Sequence, residues 1–64
     1  MNDYESQLEH VRTLEAAHDA IGALIDSYGD ASAPGDVWDC YNVIGNRLTH
    51  AVHALHTIRR MVAS

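Results

Sequence analysis

Two long segments of this chain each carry apolar side chains at alternating spacings of three and four residues. This period is that of one face of an α-helix, and its repetition over several turns is typical of helices that pack against other helices. In the first segment the pattern occupies Tyr4, Gln7, Val11, Leu14, His18, Ile21, Ile25 and Tyr28. In the second it occupies Val37, Tyr41, Ile44, Leu48, Ala51, Leu55, Ile58 and Val62. The spacing predicts two helices, over about 3–28 and about 36–62.

The residues between the two patterns favour a turn. The segment 29–35 contains the only proline of the chain, Pro34, and begins with Gly29, a residue type suited to the left-handed end of a helix. Each predicted helix is about 39 Å long at ~1.5 Å per residue, and so short a connection makes consecutive helices antiparallel neighbours. We therefore predict an all-α fold in which one domain, 1–64, forms an antiparallel two-helix hairpin with a turn at about 29–35.

The small size of the chain indicates that a single hairpin needs a further stabilising contact. Sixty-four residues bury little apolar surface, and Cys40, the single cysteine, cannot form a disulfide within the chain. Each apolar stripe is also wider than one partner helix covers. A second apolar surface is predicted from Leu8, Ala17 and Leu24 on the first helix and Trp38, Gly45 and Val52 on the second. We predict a homodimer that forms a four-helix bundle in coiled-coil fashion, or a larger symmetric oligomer of hairpins.

The core of that oligomer is expected to come from the central positions of both stripes. These are Val11, Leu14, His18, Ile21, Ile25, Tyr41, Ile44, Leu48 and Leu55.

The charge balance narrows the range of partners. The chain contains nine Asp and Glu residues but only four Arg and no Lys, so its net charge is −5. Because this charge repels phosphate groups, nucleic acid is an unlikely partner. No apolar run approaches the ~20 residues of a membrane span. The acidic start does not resemble an export signal, and a single cysteine fits a reducing compartment. The expected location is the cytoplasm, with no membrane partner.

The segment Glu15-Ala16-Ala17-His18 is a candidate metal site. A Glu-x-x-His pair places a carboxylate and an imidazole one helical turn apart, as in the carboxylate-bridged di-iron bundles. The second helix has no Glu, so the fullest site would take Glu15 and His18 from each of two chains. The alternative is a structural His18 that hydrogen-bonds to Glu15 or across the oligomer interface.

A second histidine pattern, His50, His53 and His56, lies opposite the apolar stripe of the second helix. Each step of three residues along the helix turns the side chain by ~60° around the helix axis, so the outer two histidines point in different directions. One metal ion would therefore bind at most two neighbouring histidines. A solvated face, a metal-binding pair and a pH-responsive contact surface are the alternatives.

Gly22 and Gly45 each interrupt a predicted helix at a cost of ~1 kcal/mol relative to Ala. They lie at about the same level of the predicted hairpin, which indicates a close crossing of the two helices. The alternative is a notch near Tyr41, Ile25 and Trp38 that receives a ligand or a partner's side chain. The candidate ligand or partner contacts are Gly22, Trp38, Tyr41 and Gly45.

The predicted architecture resembles that of the Rop-type plasmid-copy-number regulators, helical hairpins that dimerise into four-helix bundles. It is also similar to small phage proteins that sequester nucleotide second messengers in oligomeric pockets. The Rop-type likeness would imply RNA binding, but this chain offers only Arg12, Arg47, Arg59 and Arg60 for that purpose.

The function expected from the residues themselves is that of a small interaction protein. No serine lies in a strand-turn-helix setting and there is no phosphate-binding loop, so we expect neither enzymatic activity nor a cofactor. We predict a homo-oligomeric hairpin that binds another protein, with an accessory or regulatory role in a bacterium or phage. The alternative is a helical bundle that binds a metal ion, a nucleotide or another small molecule.

Overall fold

The chain folds as two helices packed side by side. The computed structural model describes residues 3–29 and 31–63, with α1 over Asp3–Tyr28 and α2 over Gly35–Ala63. The predicted all-α hairpin is confirmed. Residues 1, 2, 30 and 64 of the predicted domain, and the side chain of Val62, lie outside the described part of the chain.

Gly29 ends α1 in the predicted way. Its φ of 83° lies in the left-handed region, which an L side chain adopts only with strain. The Gly29 N–H donates hydrogen bonds to the carbonyls of Ile25 and Asp26, at 3.0 and 3.2 Å. The last turn of α1 is therefore closed by the chain itself.

Pro34 immediately precedes α2, and its carbonyl accepts hydrogen bonds from the N–H groups of Val37 and Trp38, at 3.1 and 3.2 Å. A proline is well tolerated there because the N–H groups at a helix start have no partner within the helix. Asp36 lies in the first turn of α2. There its carboxylate interacts favourably with the helix dipole.

The main cluster of buried side chains sits in the half of the hairpin remote from the turn, whereas Ile25 is buried separately near the turn. Val11, Ala51 and Leu55 are buried together, and partly buried side chains surround them. Those side chains belong to Tyr4, Leu8, Leu14, Leu48 and Val52. The side-chain amide of Gln7 donates a 3.0 Å hydrogen bond to the carbonyl of Ala51. This bond accounts for a polar residue within the apolar stripe of α1.

The hairpin is elongated and its core is small. It measures 48 × 16 × 13 Å with a radius of gyration of 14.7 Å, against about 11 Å for a compact domain of this length. Its accessible surface is 4830 Å², against roughly 4000 Å² for a compact monomer of this mass. Among the described residues, the buried hydrophobic side chains are Val11, Ile25, Ala51 and Leu55. Much of the apolar surface therefore remains uncovered.

The uncovered apolar surface lies mainly on one side of the hairpin. At 100° per residue, eight apolar side chains lie on the same side of the α1–α2 contact. We call this the apolar face, which consists of Leu14, Ala17, Ile21, Leu24, Tyr28, Ile44, Ala54 and Ile58. By the same geometry, the polar side chains of His10 and Arg47 lie among them. Leu24 and Tyr28 are 44% and 48% exposed, and two further exposed apolar side chains, Val43 and Met61 at 54% and 71%, lie on α2 just outside this face. The face runs along both helices.

The second apolar surface expected from the sequence is divided between two sides. Leu8 and Leu24 lie about 160° apart around α1, so they cannot share one face. Ala17 lies with Leu24 on the apolar face, whereas Leu8 and Val52 pack against the core from the other side. The opposite side of the hairpin carries the grooves described next.

Candidate functional site

Two rings stack between the helices near their middle. His18 from α1 and Tyr41 from α2 have centroids 4.3 Å apart and an interplanar angle of 24°. Trp38, one turn before Tyr41, meets that ring edge-on at 6.1 Å and 85°. All three side chains are partly buried. Their contacts join the two helices, and each helix carries a glycine one turn after its ring in the stack.

Each of those glycines makes room for a ring of the opposite helix. A Cβ atom at Gly22 would lie 3.4 Å from Cε1 of Tyr41, and one at Gly45 would lie 3.4 Å from Nε2 of His18. The predicted pairing of Gly22 with Gly45 at one level is therefore corrected. Both glycines face rings rather than each other, because the stacked rings fill the space between the helices at this point.

A similar pattern of residue types occurs twice at this site. Residues 18–22 read His-Asp-Ala-Ile-Gly, and residues 41–45 read Tyr-Asn-Val-Ile-Gly. In each, a ring precedes a glycine by four residues, which places the two on one side of the helix and one turn apart. The two copies contact each other in antiparallel fashion, so the ring of one reaches the glycine of the other. This repeat is the sequence signal for the stack, and periodicity alone missed it.

An open groove of about 510 Å³ lies beside the stack, towards the turn. The α1 side contributes two carboxylates, Asp19 and Asp26, with small residues between them, and the α2 side contributes Trp38 and Tyr41. Its full lining is His18, Asp19, Gly22, Ala23, Ile25, Asp26, Trp38 and Tyr41.

The structure thus brings together three of the four predicted contact residues, Gly22, Trp38 and Tyr41. Gly45 lies instead in a neighbouring groove of about 360 Å³ with Asn42 and Asn46. Sequence reasoning did not single out Asp19 and Asp26, whose spacing of seven residues could have linked them to one side of α1. Whether these residues bind a ligand stays a prediction.

Glu15 and His18 of one chain do not form a metal centre by themselves. In the described part of the chain, no group of three or more His, Cys, Asp or Glu side chains is placed to hold a metal ion. Glu15 is exposed, and His18 stacks on Tyr41 with Nε2 directed towards Gly45. This packing favours a structural role for His18, although its ring partner is Tyr41 rather than Glu15. A site shared by two chains stays a prediction.

The other chemically reactive side chains lie away from the groove. His50, His53 and His56 are all exposed on α2. Cys40 is exposed and free. The alternatives for the three histidines stay open.

The predicted oligomer core divides into three groups. Val11, Ile25 and Leu55 are already buried within one hairpin. His18, Tyr41 and Leu48 are partly buried along the contact between the helices, and Leu14, Ile21 and Ile44 are partly buried on the apolar face. The last group is the one that a second copy could cover.

No protein-family model, curated protein or solved structure matches this chain. Within residues 3–28 and 35–63, neither helix contains a stretch long and apolar enough to cross a membrane.

Proposed function

We propose that this chain is a small non-enzymatic interaction protein that works as a homodimer of hairpins and binds another protein. The dimer is a four-helix bundle in which the apolar faces of two chains pack together. The observation that carries the proposal is the uncovered apolar face on an elongated hairpin, with Leu24 and Tyr28 nearly half exposed. A surface of this kind marks an interaction site.

The size of the apolar side suits a second copy of the chain. The hairpin is 48 Å long and 16 Å wide, so the outline of one side covers roughly 770 Å² in projection, which is of the same order as the ~800 Å² of accessible surface that each partner buries in a standard protein interface. Because both copies offer the same surface, the contact closes on itself about a two-fold axis. Ala17 and Ala54 leave space on the face that larger side chains such as Ile21 and Ile58 can enter.

The groove side of each hairpin remains open in such a dimer and is available to a protein partner. Charge supports a partner with a basic surface, since residues 1–30 hold seven acidic residues and one Arg. Electrostatic attraction of this kind mainly accelerates encounter and selects partners. We place the dimer in the cytoplasm because its single, exposed Cys40 suits a reducing compartment.

A ligand-binding bundle is the second candidate, and the groove beside Gly22 favours it. A metal-binding version would require Glu15 and His18 from both chains. Native mass spectrometry of untagged protein tests both versions, because a bound metal or small molecule adds its own mass. A mass equal to bare polypeptide alone would contradict this second candidate.

The interaction proposal is tested by Leu24→Glu, which places a charge on the apolar face. Leu24 is exposed enough for the hairpin to tolerate the change, but a dimer would bury the charge twice, once in each chain. We expect a dissociation constant raised at least ~100-fold, equivalent to about 2.7 kcal/mol, measured by sedimentation equilibrium.

The control is Ala16→Glu, since Ala16 is exposed on α1 away from both the apolar face and α2. This variant should sediment as a dimer, as the unmodified chain is expected to do. If both variants and the unmodified chain formed species with the same number of chains, assembly through this face would be contradicted.

A further inference from the structure

The groove beside Gly22 combines two perpendicular aromatic rings with two carboxylates. We propose that it binds arginine side chains of a basic segment of the partner protein. The inference rests on the proposed function, whose partner it specifies.

The rings supply one half of the site. Trp38 and Tyr41 are nearly perpendicular, at 85° with centroids 6.1 Å apart, and form a corner of the groove. A cation over an aromatic face is attracted by the ring quadrupole, most strongly at tryptophan. One face of Tyr41 is covered by His18. The partly exposed indole of Trp38 is therefore the main platform for a cation.

The carboxylates supply the other half. Asp19 and Asp26 are seven residues apart, which places them about 10.5 Å apart along α1 and within about 20° of one direction. Both are exposed, and the groove lining contains no Arg or Lys that would neutralise them. Between them, the small side chain of Ala23 leaves room for a ligand side chain to lie across α1, and the Tyr41 ring lies against Gly22.

Arginine fits this combination better than a small cation does. Its guanidinium donates two parallel hydrogen bonds to a carboxylate and stacks on aromatic rings, while its aliphatic stem packs on apolar surface. A peptide in the polyproline II conformation has three residues per turn and rises ~3.1 Å per residue, so two arginines three positions apart lie on one side of it and about 9 Å apart. A segment with the pattern Arg-x-x-Arg therefore matches the separation of Asp19 and Asp26.

The site is compatible with the proposed dimer. The groove and the apolar face lie on opposite sides of the α1–α2 contact, so a dimer built on the apolar faces carries two open grooves. The net charge of −5 adds a long-range attraction for a basic segment. Two linked grooves would also strengthen binding of a partner with two such segments.

The chain carries its own reporter for this test. Trp38 is its single tryptophan, so tryptophan emission, excited at a wavelength that the tyrosines do not absorb, reports on the groove. The probe is an end-capped hexapeptide, Gly-Arg-Ala-Ala-Arg-Gly, titrated at low salt, and the control peptide has norleucine in place of both arginines. We expect a saturable change in emission with the arginine peptide and a much weaker response to the norleucine peptide. Equal responses to the two peptides would overturn the proposal.

Two double variants separate a local site from overall charge. Asp19→Asn with Asp26→Asn should weaken binding roughly three- to tenfold. Glu5→Gln with Glu9→Gln gives the same net charge from exposed positions of α1 away from the groove, and should weaken binding less than about twofold. Equal weakening by both pairs would show that only overall charge matters and would overturn the site.

Circular dichroism and sedimentation of the same samples separate the two proposals. If the arginine peptide fails to bind a helical dimer, this inference falls and the proposed assembly stands. If it binds a helical monomer with the expected response to the Asn pair, the site stands and the proposed dimer falls.

Discussion

Gly45→Ala is expected to stabilise the protein, although Gly45 faces a ring at the centre of the hairpin. The new methyl group would lie 3.4 Å from Nε2 of His18 and 3.7 Å from its Cδ2, distances at which it contacts the ring without displacing it. Replacing a glycine inside a helix removes a cost of ~1 kcal/mol. We expect a net gain of about 0.5–1 kcal/mol, which raises Tm by about 2–8 °C for a domain of this size.

Gly45→Leu should have the opposite effect. Its Cγ would extend ~1.5 Å beyond the Cβ atom and enter the space of the His18 ring, so the stack on Tyr41 must open. The lost ring contact, ~0.5–1.5 kcal/mol, and the strain of overpacking exceed the gain in helix propensity. We expect a net loss of about 1–3 kcal/mol. Ala16→Leu, at an exposed position of α1, controls for size and should change stability by only a few tenths of a kcal/mol.

The assay is thermal unfolding followed by circular dichroism. All variants are compared at one chain concentration, because Tm of an oligomer depends on concentration. If Gly45→Ala destabilised the protein as much as Gly45→Leu, the His18 ring would not be what limits the space at Gly45. That result is expected where two helix backbones touch and no Cβ fits, which is the close crossing that the sequence indicated.

Two further substitutions test the turn and the core. Gly29→Ala should lower the free energy of unfolding by about 1–2 kcal/mol, because the φ of 83° is strained for alanine. The control is Gly35→Ala, where a Cβ meets nothing within 4 Å. Equal urea midpoints for the two variants would contradict the role of Gly29. Gln7→Met removes the 3.0 Å bond to the carbonyl of Ala51 while keeping most of the side-chain volume. It should cost about 0.5–1 kcal/mol in urea unfolding, and no loss would show that this bond adds nothing to stability.

The spacing of apolar residues was sufficient to predict the helices and the hairpin. A period of 3.6 fixes which side chains share a face, and Gly29 with Pro34 fixes where the chain reverses. The period says little about how far one helix slides along the other, because shifts of three or four residues preserve the stripe. In this protein the stacked rings of His18 and Tyr41 set that position.

The candidate site was only partly accessible from the sequence. Gly22, Trp38 and Tyr41 stood out because glycine is costly in a helix and large aromatic residues anchor interfaces. Asp19 and Asp26 looked like ordinary members of a solvated surface. Their role in the groove depends on which side of α1 faces Trp38, a relation between helices that one-dimensional patterns do not contain.

Sedimentation equilibrium of the unmodified chain at micromolar concentration measures whether two hairpins assemble. We expect a helical species with twice the 7.0 kDa mass of the chain, which dissociates when Leu24 is replaced by Glu. A helical species with the mass of a single chain over the whole concentration range would contradict this assembly.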